Sequence, residues 1–337
     1  FMKEDILAFC QEVNEARYHG QAEGHYESFF LRANHPERPL AFWIRYTIFS
    51  PKAHPEKAQG ELWAVFFNGE TGRHSAVKRE LPFRECLFDN AKFHVRVGDA
   101  WLTSRGLYGA VYGEAHALSW DLSYEGGDKP LLLFPYKLYF TKIPAAKSLV
   151  PLPMARFRGK LQVDGETVDV ADWVGSQNHN WGSRHTDLYA WGQVAGFDTH
   201  PESFLELATG RLRIGPFWSP AVTPIVLRHR GREYAANSLL QAVKAHGSFG
   251  YFSWEFSSKT PLFELSGTMT AAREDFVGLS YRNPPGSSKH CLNSKIASCR
   301  LRLTDLEEGT SDILETRNRA AFEILTDDGG HGVSIQA

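Results

Sequence analysis

From Tyr26 onward the chain breaks into short runs in which apolar and polar side chains alternate, each ended by residues that turn the backbone. A period of two places successive side chains on opposite faces of an extended strand. The run at 41–49 stops at Ser50-Pro51, and the run at 61–67 stops at Asn68-Gly69, a pair that accepts positive φ. Further runs lie at 73–81, 93–103, 107–114 and 116–125, and 156–163 turns at Asp164-Gly165 into 166–170. The second half repeats the style at 189–197, 203–214, 223–235, 250–257, 263–273, 277–282, 296–304 and 320–326. The one helical pattern is at 3–17, where Ile6, Cys10 and Val13 share a face.

The predicted fold class is therefore all-β, with a short N-terminal helix. Each half offers roughly eight or nine strands, and about eight suffice to enclose a ligand-sized interior, so two tandem antiparallel β-barrels fit better than one sheet. The seam is expected in the polar stretch 175–188, which divides the chain into predicted domains at 1–185 and 186–337. An aromatic content of 13% agrees, since aromatic side chains favour pleated, half-buried surfaces.

Charge and cysteine content exclude several functions. With 37 Lys plus Arg against 39 Asp plus Glu and no basic block, the chain is not a polybasic nucleic-acid binder. Four cysteines in 337 residues make no disulfide framework, and Cys291 and Cys299 lack the close spacing of a zinc site. Glu4 and Asp5 stand where a secretory signal carries positive charge, and no apolar run approaches a membrane span. The expected setting is cytoplasmic, with no transmembrane segment and at most peripheral membrane contact. Dinucleotide fingerprint, P-loop, nucleophile elbow and HExxH are all absent, so no cofactor is expected.

The unusual segment runs from Gly175 to His185 and holds Gln177, Asn178, His179, Asn180, Trp181 and Arg184. Tyr189, Trp191 and Gln193 follow on one face of a strand. Polar groups beside large aromatics describe an apolar pocket with a few convergent polar contacts; the structural reading is a connector whose amides satisfy buried backbone. His179 and His185 are six apart without a third ligand at a recognisable spacing, and His200 sits in a turn, so no metal is expected. Arg184 and His185 are expected in solvent or paired with Asp187. Glu206 has two registers: inward beside Phe204 in a barrel, where burial would hold it protonated as a general acid, or outward in water with Leu205 and Leu207 inside. Glu27 and Asp121 carry the same ambiguity.

The run Gln177-Asn178-His179-Asn180-Trp181-Gly182, with Tyr189-x-Trp191-x-Gln193, resembles the signature of the AttH/CrtC-like family. That family includes the carotenoid 1,2-hydratases (hydroxyneurosporene synthases) and is related to the tocopherol cyclases. Tyr26-Glu27-Ser28-Phe29-Phe30, Tyr281-x-Asn283-Pro284 and Cys291-Leu292-Asn293-Ser294-Lys295 extend the resemblance over nearly the whole chain. It implies lipocalin-like barrels and cofactor-independent chemistry on a large apolar isoprenoid or polyene: protonation of a double bond, then capture of the cation by water or an internal oxygen, or in some relatives cycloaddition. It carries His179 and Trp181 over as the His-x-Trp pair of the hydratase site. The hydratases' Tyr-x-Asp has its nearest counterpart in Phe204-x-Glu206, which keeps an acid and loses the phenol.

The resulting expectation is a hydratase (a lyase) or a cyclase (an isomerase) acting near the domain seam. Glu206 donates the proton, His179 is its partner or the base for water, and Trp181 and Trp191 form cation-facing walls. Asn180, Tyr189, Trp191, Gln193 and Glu27 hold the substrate. The alternative is a non-catalytic carrier of an apolar lipid or isoprenoid ligand, which needs no buried carboxyl group.

Overall fold

The computed structural model describes residues 12–337. The predicted N-terminal helix falls, save for its last residues, outside them. The first sheet comprises β1 (His25–Asn34), β2 (Leu40–Ser50), β3 (Gln59–Asn68), β4 (Ser75–Pro82), β5 (Cys86–Phe88) and β6 (His94–Val97). It continues with β7 (Ala100–Thr103), β8 (Gly106–Tyr112), β9 (Ala117–Gly126), β10 (Leu131–Leu132), β11 (Ala146–Val163) and β12 (Glu166–Gly182). The next strands are β13 (Leu188–Ala195), β14 (Phe204–Arg211), a small hairpin of β15 (Arg213–Ile214) and β16 (Phe217–Trp218), β17 (Ile225–His229) and β18 (Arg232–Ala236). A short helix α1 (Leu239–Lys244) precedes β19 (His246–Gly250), β20 (Ser253–Lys259), β21 (Phe263–Thr270), β22 (Val277–Arg282), β23 (Ser288–Asp305) and β24 (Thr310–Thr326).

The first sheet runs in the order β4-β3-β2-β1-β12-β11-β9-β8-β7-β6-β5, and its end strand β4 comes back against β8 and β9 to make a nearly closed barrel. The second runs β18-β17-β14-β13-β24-β23-β21-β20-β19, with β22 beside β23. All pairings within the two sheets are antiparallel. The all-β architecture is thus that of the sequence reading. Asp164-Gly165 makes the expected tight turn, both residues with positive φ, whereas between β3 and β4 the positive φ falls on Gly72 rather than at Asn68-Gly69. No helix among the described residues is long and apolar enough to cross a membrane.

Burial patterns show where the sheets meet. β8 and β9 alternate between buried and exposed positions, as strands do with one face in water. Every residue of β1 and β2 is buried. One face of these strands lines the first barrel's interior with Phe29, Leu31, Phe42 and Ile44, and the other packs on the second sheet. The shared seam is an aromatic layer in which Phe30, Trp43 and Trp63 meet Trp191, Tyr281 and Leu325. Arg228 of β17 clamps one edge of it, donating to Asp128 Oδ2 at 3.0 Å and to the Lys129 and Pro130 carbonyls.

Candidate functional site

The segment 175–182, whose sequence reads as a polar seam without strand alternation, is the end of β12, paired with β1 on one side and β11 on the other. It lacks the apolar-polar alternation of a surface strand because neither of its faces meets water. Gln177, His179 and Trp181 face the barrel interior, while Ser176, Asn178 and Asn180 face the seam, as strand alternation requires. Glycines permit the close approach: a Cβ on Gly175 would lie 1.7 Å from the Arg32 carbonyl oxygen.

On the barrel side, His179 Nε2 lies 2.7 Å from Glu27 Oε1 and its Nδ1 lies 2.6 Å from the Val13 carbonyl. His25 Nε2 is 2.9 Å from the other Glu27 oxygen, and the Arg17 N–H donates to both oxygens. Glu27 and His179 are fully buried. Burial pushes the Glu27 carboxyl up, but hydrogen bonds and charge from His179 and His25 outweigh it and hold the group down at about 2. Phe29 stacks on the His179 ring at 4.1 Å, and Trp181 packs with Tyr139 and Val13. The cluster pins residues 13–17 over the end of the barrel.

On the seam side, Glu206 Oε1 accepts from Trp191 Nε1 at 2.8 Å and Oε2 accepts from Gln193 Nε2 at 2.8 Å. Gln193 is a hub: its Nε2 also donates to Asn178 Oδ1, and its Oε1 accepts from Ser176 Oγ and Arg32 Nε. Burial drives the Glu206 carboxyl up to about 8 and the Glu323 charge adds to it, against the two N–H donors and the Arg32 guanidinium. The group is therefore protonated at neutral pH. Each oxygen accepts one N–H, and neither of these contacts takes up the acid proton. A cleft of about 520 Å³, lined by Asp128, Met154, Val174, Phe204 and Arg228, opens onto this face. Phe204 is two residues from Glu206 on the same side of β14, about 7 Å along the strand.

The placement corrects several sequence expectations. Neither register foreseen for Glu206 holds: Leu205 and Leu207 do point into the second sheet's core, but the opposite face is covered by the first sheet and is not in water. His179 is not the partner of Glu206, because His179 and Asn178 project from opposite faces of β12 and only Asn178 reaches the Gln193–Glu206 network. For the same reason Trp181 and Trp191 do not wall one site. Glu27 belongs with His179, Asp121 is exposed, and Asn180 lies on the seam face with its Oδ1 buried and unpaired. Tyr189 is in the seam layer. Arg184 pairs with Asp187 as expected, but His185 is buried, stacked on Tyr26 at 3.9 Å. Burial pushes its imidazole down to about 3, with the Arg45 and Lys289 charges adding to the shift.

Among the described residues one trio could offer three metal ligands, His200, His229 and Asp312. Each is already engaged: His229 bonds Asp312 Oδ2 at 3.0 Å and Ser203 Oγ at 2.8 Å, His200 bonds Thr199, and Arg230 takes the other Asp312 oxygen. His179 and His185, the pair weighed from sequence, face different compartments.

The sequence reading missed Arg32, Arg45 and Glu323, which complete the seam. A signal was present: Arg32 and Arg45 are single charges inside otherwise apolar runs, Phe29-Phe30-Leu31-Arg32-Ala33 and Trp43-Ile44-Arg45-Tyr46. A strand buried on both faces carries such a charge inside the protein.

Known proteins share this architecture. Solved structures that resemble it include a putative AttH from Nitrosomonas europaea, with 12% identity, a TM-score of 0.59, and 94% of this chain and 95% of that one covered. Kievitone hydratase from Nectria haematococca has 11% identity and a TM-score of 0.53 over 92% and 93% of the two chains. CghA bound to Sch210972 has 12% identity and a TM-score of 0.56 over 90% and 89%. By sequence, the uncharacterized protein Rv0493c of Mycobacterium tuberculosis is 24% identical over 296 residues, 85% of this chain and 83% of the relative. The family described as tocopherol cyclase-like matches residues 148–324. That span runs from β11 to β24 and takes in β12, the seam face of β13 and Glu206, and the chain belongs to the tocopherol cyclase-like family.

Proposed function

We propose that the chain is a cofactor-independent hydratase or cyclase acting on an apolar isoprenoid or polyene at the seam, with Glu206 as the acid. The observation that carries this reading is a buried carboxyl group kept protonated at neutral pH, one strand repeat from an open cleft. Membership of a tocopherol cyclase-like family and likeness to a fold that includes a hydratase support the reaction class.

Glu206 gives its proton to one carbon of a double bond, forming a C–H bond and leaving a cation on the neighbouring carbon. Water, or a hydroxyl within the substrate, forms the new C–O bond, and the proton it sheds returns to the Glu206 carboxylate. Nothing is oxidised or reduced. Trp191 Nε1, Gln193 Nε2 and the Arg32 charge stabilise that carboxylate while it exists, and the faces of Trp191, Trp43 and Phe30 stand beside it for the cation. A dry seam keeps the acid from being levelled by water.

His179, Trp181 and Glu27 take a structural part in this reading. Both His179 nitrogens and both Glu27 oxygens are used in holding residues 13–17, which leaves neither group a free position for a substrate.

The test is Glu206→Gln, which keeps the size and one of the two acceptor oxygens but has no acid proton. Mass spectrometry of organic extracts from incubations with prenylated phenols and polyenes is expected to show product with the native chain. The variant should lose 10²-fold or more of the rate while still retaining the substrate. Full turnover by the variant removes Glu206 as the acid. The same compound recovered unchanged from both proteins supports the carrier instead.

A further inference from the structure

Arg45 stands in the seam among Trp43, Trp63 and Tyr281, its guanidinium carbon 4.4 Å from the centre of the Tyr281 ring and 5.8 Å from that of Trp63. It is 6% exposed, and its Nε is buried without a hydrogen-bond partner. Among the described residues no carboxylate lies within ion-pair distance of it: Glu61 is held by Lys78 and Arg282, and Glu323 by Lys295 at 2.7 Å. A buried guanidinium normally recovers its lost hydration through a carboxylate or several carbonyls, and a cation–π contact supplies only part of that.

Arg45 is not alone. Trp43 Nε1 and Asn293 Nδ2 are also buried N–H donors without an acceptor. Both belong to the same layer, Trp43 through its cation–π contact with Arg45 and Asn293 through its contact with Lys295, whose ammonium lies 5.7 Å from the Trp43 ring. Arg32 adds a second cation bonded only to neutral groups, Gln193 and Asn34. Glu61 and Glu323 act on Arg45 only from beyond contact, and against the three unpaired N–H donors the seam leaves the one amide oxygen of Asn180 unpaired.

Resting on the reading of the seam as the active site, we propose that its substrate carries an anionic oxygen group, a carboxylate or an equally acidic enol. This group is bound by Arg45 with the Trp43 and Asn293 donors, while the apolar remainder reaches across Phe30 and Trp191 to Glu206. Arg45 lies opposite Phe30, and Phe30 opposite Asn178, on three adjacent strands. Two strand spacings, about 10 Å, therefore separate the anion site from the Asn178–Gln193–Glu206 network. The substrate is amphipathic and is read at both ends: its acidic head sets how far along the tail the reacting double bond must lie. A carboxylate met by a guanidinium in a dry site is also the strong, charge-assisted form of hydrogen bond, which gives selectivity over esters and alcohols of equal size.

Fluorescence titration of the full chain with cis-parinaric acid, a conjugated polyene fatty acid, and with its methyl ester tests this. The expected result is an acid at least tenfold tighter than the ester. Arg45→Met should bring the acid to the affinity of the ester and leave the ester unchanged, since Met keeps most of the apolar stem. Arg45→Lys, which keeps the charge without the fork, should fall between. Equal binding of acid and ester by the native chain, or a preference that survives Arg45→Met, overturns the proposal. The native comparison decides even if a variant does not fold. Glu206→Gln should retain the acid preference, so a failed acid assignment at Glu206 is distinguishable from a failed anion site.

Discussion

A carboxyl group held protonated up to about pH 8 acts on stability as well as on chemistry. In the unfolded chain Glu206 ionises near the ordinary glutamate value, about 4.3. Between there and 8 the native state binds the extra proton, so its stability falls as pH rises through that window and levels off above it. Glu206→Gln removes this dependence, so its stability in urea should stay level between pH 5 and pH 8 while that of the native chain falls. Catalysis uses the same proton, so turnover should fall tenfold per pH unit above about 8. Trp191→Phe deletes a donor that stabilises the carboxylate; its falling limb should move to higher pH, read from rate profiles of the two proteins. Glu27 has the opposite sign. Its carboxyl is depressed to about 2, so its contribution is complete above the unfolded value and is lost as pH falls from there toward 2. Glu27→Leu leaves His25 and the Arg17 N–H without their shared acceptor. It is expected to cost about 3–5 kcal/mol in urea titrations at pH 7, the usual result of breaking one side of a buried pair.

At the scale of the element, β12 carries the argument. It can lie between a barrel interior and a second sheet only because Gly175 and Gly182 bring its backbone close to β1 and β11: added Cβ atoms would stand 1.7 Å from the Arg32 carbonyl oxygen and 2.3 Å from that of Ala145. Gly175→Ala should destabilise the chain by about 3 kcal/mol or more, since backbone and not a flexible side-chain tip must yield. Thermal unfolding with and without the change reads this directly. The strand was hard to recognise from sequence for a physical reason. Period-two alternation marks a strand with one wet face, and β8, β9 and β21 were legible because they have one. Gln177-Asn178-His179-Asn180 alternates between two buried faces, both polar, and so resembles a loop. The same geometry hid the role of Glu206. Choosing between barrel interior and water was the right question for an isolated barrel, but packing of one sheet on another supplies a third environment that no local pattern encodes. The turn at Asp164-Gly165, by contrast, was readable from two residues, because its φ values are set by local sterics.

At the scale of the whole molecule, the seam is a core in its own right, with large aromatics contributed by both sheets. Neither sheet can expose it cheaply: burying one such side chain is worth roughly 1.5–3 kcal/mol, and Trp43, Trp63, Trp191, Tyr281 and Phe30 all belong to it. The two sheets should therefore unfold together, giving one calorimetric transition whose van't Hoff and measured enthalpies agree, with tryptophan fluorescence and circular dichroism changing in step. Arg228→Ala, which opens the clamp to residues 128–130 at the cleft, should lower that single transition without splitting it. The partition formed by β12 also bears on descent. Substitutions at its odd positions alter only the anchored chain end, and those at its even positions alter only the seam, so the two sets can drift independently through replacement. A one-residue insertion or deletion between 175 and 182 would exchange them wholesale, sending His179 into the seam and Asn178 into the barrel. Lineages carrying this strand are thus free to change its letters but not its length.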